Sequence, residues 1–157
     1  MEVRIDTASR VIAASPAAVY AALVSEDARR TWLPPTGMTA RFDRYDPRPG
    51  GGYRMVLVYT DATDAPGKST ASEDVVEARF VELVPDTRVV EAIDFASDDP
   101  RFAGTMTMTW ALAPDGAGTR VTIEARDIPA GITPEDHAAG MDSSLANLAG
   151  FLATHAA

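Results

Sequence analysis

The stretch Gly104-Thr105-Met106-Thr107-Met108-Thr109-Trp110-Ala111-Leu112 decides the fold. Met106, Met108, Trp110 and Leu112 alternate with Thr105, Thr107, Thr109 and Ala111, and a period of two sends the first set to one side of a strand and the second to the other. One face is oily and the other rich in hydroxyls, as in an antiparallel sheet with one face covered and one wet. Tyr53, Met55, Leu57 and Tyr59 repeat the pattern. A cover for these faces must be long and apolar along one stripe. Only the end of the chain provides it. Thr133 can cap a helix, Pro134 suits its first position, and Glu135 and Asp136 sit in the first turn, where the helix dipole favours anions. Met141, Leu145, Leu148 and Leu152 then fall on one stripe of a helix running to about His155.

Outward from these two elements, residues 2 to 13 read as a strand. Ser15-Pro16 opens a helix that buries Val19, Tyr20 and Leu23, and a second short helix runs from Glu26 to Thr31. That helix ends in Trp32-Leu33-Pro34-Pro35, where consecutive prolines forbid continuation. Met38 to Tyr45, Tyr53 to Tyr59, Glu73 to Leu83, Arg88 to Phe95, Gly104 to Ala113 and Thr119 to Arg126 are the remaining strands. Short turns at Pro85-Asp86 and Pro114-Asp115-Gly116 make antiparallel neighbours of the strands they join. The expected class is α+β over residues 1–157 as one domain, a curved antiparallel sheet of about six to seven strands with two short helices after the first strand and a long helix over it. Residues 60 to 72 are the longest loop, read as a mobile flap.

Composition narrows the function. A formal net charge of −9 and a pI near 4.6 oppose phosphate backbones and anionic lipid surfaces, so neither a nucleic-acid nor a membrane partner is expected. There is no cysteine, hence no disulfide, thiolate nucleophile or Cys-based zinc site. The first six residues, Met1-Glu2-Val3-Arg4-Ile5-Asp6, lack the apolar core of a signal peptide, and no stretch reaches the ~20 apolar residues of a bilayer span. A cytoplasmic location is the default expectation. A homodimer is left open.

Few motifs carry chemistry. Gly50-Gly51-Gly52 precedes a strand without a following Gly-Lys-Ser/Thr and reads as a turn, while Gly67-Lys68-Ser69 lacks the upstream glycine of a P-loop and has Asp61 and Asp64 nearby. His137 lies one turn before Met141 on the buried stripe and can serve as a hydrogen-bond donor or an acid/base at the cavity mouth, or else as a satisfied structural histidine. His155 sits near a helix end, so no paired-His metal site is expected and no cofactor is implied. On Arg88 to Phe95 either face carries a carboxylate, Glu91 or Asp94, so one acid must point toward the covered side and find a partner; Arg54, Arg79 and Tyr59 are candidates. Catalytic candidates are thus His137, Glu91 and Asp94. Trp32, Met55, Leu57, Tyr59, Met106, Met108, Trp110, His137, Gly140, Met141 and Ser144 are the expected ligand-binding set, with methionines forming a deformable lining and Trp32 near the entrance. The same oily stripes are also compatible with a solid core. Gly140 and Ser144 favour a cavity, since small residues leave space beneath the helix, although glycine can equally serve close packing.

The element order, together with several strings, resembles the activator of heat-shock-protein-90 ATPase homologue group within the START-like SRPBCC superfamily. The strings are Ile12-Ala13-Ala14-Ser15-Pro16 with Val19-Tyr20, Trp32, Asp46-Pro47-Arg48-Pro49-Gly50-Gly51 before Tyr53-Arg54, Phe80-Val81-Glu82-Leu83-Val84-Pro85, Gly118-Thr119-Arg120-Val121, and His137 to Leu152. Met141 stands where that group often has Trp. The resemblance implies a helix-grip fold of the START-like, Bet v 1-like kind. It implies a function drawn from three classes: binding of a small, largely apolar molecule in an internal cavity, a cyclase or dehydratase using that cavity, or a module regulating a chaperone ATPase.

Overall fold

In the computed structural model, which describes residues 4–34, 38–59, 73–95 and 99–155, the chain begins with strand β1 (Ile5–Ile12). Helices α1 (Pro16–Val24) and α2 (Glu26–Trp32) follow. Then come β2 (Met38–Asp46), β3 (Gly52–Tyr59), β4 (Glu73–Val84), β5 (Arg88–Phe95), β6 (Thr105–Asp115), β7 (Gly118–Arg126) and the long α3 (Pro134–His155). A single 3-10 turn at Pro100–Phe102, capped by Asp99, was not foreseen. The loop expected at residues 60 to 72, including Gly67-Lys68-Ser69, lies outside the described residues.

Local chemistry explains these boundaries. Ser15 Oγ accepts from the Ala18 amide to start α1, and Ser25 both ends α1 and caps α2 through the Ala28 amide. Thr133 Oγ1 accepts from the Asp136 amide at 3.1 Å to start α3. The triple glycine is a turn: Gly50 has φ +85°, and a Cβ on Gly52 would lie 2.0 Å from the Ala78 carbonyl oxygen, where β3 begins beside β4.

Among the described residues seven strands form one antiparallel sheet in the order β1-β7-β6-β5-β4-β3-β2. From β2 to β7 each strand pairs with the next, while α1 and α2 carry the chain from one edge of the sheet to the other. Bulges between Phe42 and Arg44 and between Phe80 and Glu82 interrupt the ladder and bend it. The concave face buries Val89, Ile93, Met106, Trp110, Leu112, Val121 and Ile123, and α3 covers it with Met141, Leu145, Leu148 and Leu152, the four residues of its predicted stripe. This is the helix-grip α+β fold. Among the described residues no helix is long and apolar enough to cross a membrane.

Candidate functional site

The sheet and α3 do not close completely. Between them lies a cavity of about 240 Å³, larger than the ~150 Å³ that suffices for a benzene-sized guest. Met55 and Leu57 from β3, Met106, Met108 and Trp110 from β6, and His137, Gly140, Met141 and Ser144 from α3 line it. The structure thus brings together nine of the residues expected to bind the ligand. Its partly exposed lining residues Leu33, Leu57, Phe95, Met108, Ile132 and Ser144, with exposed Gly140, mark the side facing solvent.

Trp32 is not at the entrance. Its indole is buried, donates from Nε1 to the Ala22 carbonyl at 3.0 Å, and meets Trp110 edge-on at 5.6 Å, so it stands behind the cavity wall. The side chain of Tyr59 lies outside the described part of the molecule. Trp110 Nε1 is the one buried side-chain polar atom without a hydrogen-bond partner among the described residues.

Gly140 resolves the choice between close packing and open space. A Cβ built there meets nothing within 4 Å, and the backbone has no left-handed φ that would demand glycine. Neither packing nor conformation requires the residue, although glycine in a helix costs about 1 kcal/mol against alanine. Gly140→Ala should therefore stabilise the protein by about 0.5–1 kcal/mol in urea unfolding. A loss of stability would show a contact at this position that the structure lacks.

Of the two acids on β5, the sheet register turns Glu91 inward and Asp94 outward. Asp94 is exposed on the convex side, where Thr105 donates to it, so it is no part of the cavity. Glu91 is 1 % exposed and lines the cavity. Its partner is neither Arg54, which pairs with Asp43 and Glu77, nor Arg79, which lies on the convex face; it is Arg29 of α2. Arg29 Nη2 donates to Glu91 Oε1, Nη1 donates to the Tyr53 hydroxyl at 3.0 Å, and that hydroxyl donates to Glu91 Oε2 at 3.1 Å. Arg29 Nε donates to the Leu23 carbonyl. The guanidinium also lies 5.3 Å from the Tyr53 ring centroid, 5.8 Å from that of Phe80 and 5.9 Å from that of Trp32.

The electrostatics of this ring are settled by its geometry. Burial pulls the Arg29 pKa down, but the charge of Glu91 and the nearby tyrosine oxygens more than offset it, and the net shift is upward. Burial raises Tyr53 well above the ordinary phenol value, helped by Glu91, so its proton remains available for donation. Tyr45, whose hydroxyl donates to the Val24 carbonyl at 2.7 Å, is pushed up to about 12, chiefly by burial.

His137 is 9 % exposed and lines the cavity from α3. Its Nδ1 lies 2.7 Å from Asp6 Oδ2 on β1. Arg4 donates to the same carboxylate, from Nε to Oδ1 at 3.1 Å and from Nη2 to Oδ2 at 2.8 Å, and principally through these bonds holds the Asp6 carboxyl below the ordinary aspartate value. Neither Asp6 nor Arg29 was singled out from sequence. The available signal for Arg29 was its i, i+3 spacing from Trp32, which puts both on one helix face.

A family model described as Activator of Hsp90 ATPase homolog 1-like protein matches residues 13–153. A protein from Chromobacterium violaceum is 32% identical, with a TM-score of 0.81 and coverage of 93% of this chain and 94% of that one. A protein from Rhodobacter sphaeroides is 21% identical, with a TM-score of 0.77 over 98% of this chain and 99% of that one. A protein from Aeromonas hydrophila described as AHSA1-like is 18% identical, with a TM-score of 0.74 over 96% of this chain and 93% of that one. The last two likenesses concern the fold alone. No curated protein matches the sequence.

Proposed function

The chain belongs to the Activator of Hsp90 ATPase homolog 1-like family, and from that membership we propose that it binds a small, largely apolar molecule in the cavity beneath α3. The observation that carries the reading is the cavity itself, whose wall is mostly Met, Leu, Ile, Val, Phe and Trp side chains. The chaperone-regulating reading has less support. Fold does not carry function, and the exposed large apolar side chains among the described residues are only three, Ile5 and Val11 at opposite ends of β1 and Val81 on β4. For an enzyme, two of the three acid/base candidates, His137 and Glu91, line the cavity together with Arg29 and Tyr53, and Asp94 drops out on geometry.

Tryptophan fluorescence tests the proposal, because Trp110 forms part of the wall. Titration with a panel of aromatic and aliphatic compounds should give a saturable change and a raised melting temperature, since a ligand that binds only the native state stabilises by RT ln(1 + [L]/Kd). Trp110→Phe should remove most of the signal. Met108→Ala should shift preference toward bulkier compounds; in a solid core it would only destabilise, by about 2–5 kcal/mol. A flat titration across the panel, with no ligand retained in native mass spectrometry, would overturn the reading.

A further inference from the structure

We infer that His137 is a hydroxyl-recognition residue: the cavity takes an uncharged, largely apolar molecule with an O–H group that donates to Nε2 of this ring. The inference rests on the cavity's being a binding site and adds to it the polar chemistry of the ligand. It starts from Asp6. Both oxygens of that carboxylate are engaged by Arg4, and the guanidinium keeps it ionised, so the oxygen facing the ring can only accept. The hydrogen in the 2.7 Å contact must therefore sit on Nδ1. In a neutral imidazole this leaves the lone pair on Nε2. No hydrogen bond engages that atom among the described residues, and the ring lines the cavity with about a tenth of its side chain exposed.

The other buried polar cluster does not compete for the ligand. Arg29, Tyr53 and Glu91 close on one another, so the ion pair is matched from within. With the ring neutral its one N–H is spent on Asp6, so His137 itself offers an anionic ligand no donor. An apolar molecule without a hydroxyl would take Nε2 out of its remaining contact with water and leave it unpaired, a cost that a hydroxyl donor avoids.

The test uses two probes of nearly equal shape, 2-naphthol and 2-methylnaphthalene, titrated at about pH 8.5, above the range in which imidazoles ordinarily titrate. The readout is the ratio of their affinities. In His137→Leu the ratio should fall roughly three- to tenfold, with the affinity for 2-methylnaphthalene retained. His137→Gln, whose amide oxygen can accept, should keep part of the preference. Asp6→Leu, a change outside the cavity wall, should move the ratio in the same direction by releasing the tautomer. An unchanged ratio in His137→Leu, or an equal loss of both probes there, would overturn the inference while leaving the cavity reading in place. If neither probe binds the unaltered protein, both readings fall together.

Discussion

Glu91→Ala should cost about 3–5 kcal/mol of unfolding free energy, because it strands the Arg29 guanidinium in the core without its counter-charge. Arg29→Ala should lose a comparable amount for the mirror-image reason. The double replacement Arg29→Met with Glu91→Leu should recover most of the loss, since a buried ion pair exchanged for apolar side chains of similar volume is often neutral or stabilising. Tyr53→Phe removes one hydroxyl shared between the two charges and should cost only about 1 kcal/mol. Urea unfolding of the cycle measures all of these as a coupling energy. Strictly additive losses would show that the two charges do not act as a unit.

The second large effect concerns α3. A chain ending at Ile132 should show no cooperative unfolding transition. Met141, Leu145, Leu148 and Leu152 are each buried, and at about 1.5–3 kcal/mol apiece their burial matches the ~5–15 kcal/mol by which whole domains are stable. Their removal also bares the concave face of the sheet, including Met106, Trp110 and Ile123. Near-ultraviolet circular dichroism and a melting scan of the truncated chain check this. A sharp melt without α3 would mean that the sheet is covered by something else.

The residues that were legible in advance share one property: their role follows from periodicity. Met106, Met108 and Trp110 lie on one side of β6 because a strand alternates, and Met141, Leu145 and Leu148 lie under α3 because a helix repeats. Glu91 could be read only halfway. The alternation of β5 required an acid on the covered side, but which one depends on register, set here by Glu91 facing Met108 in the ladder. Its partner was obscured for a different reason. Arg29 sits in Glu26-Asp27-Ala28-Arg29-Arg30-Thr31, a charged run whose composition suggests a solvated helix, and only its i, i+3 spacing from Trp32 sets buried Arg29 apart from exposed Arg30. Asp6 and His137 lie 131 residues apart. Their meeting depends on β1 closing against β7 beneath the start of α3, a tertiary event with no local trace.

That same strand arrangement sets an order of events during synthesis. β1 is the first of the seven strands to emerge from the ribosome, yet Ile5 pairs with Arg126, made about 120 residues later. The ladder from β2 to β7 can zip as successive neighbours while translation proceeds, but β1 must wait unpaired, and α3 follows later still. Nascent chains stalled before β7 would carry a free β-edge and an uncovered oily face, the two features that invite association with another chain.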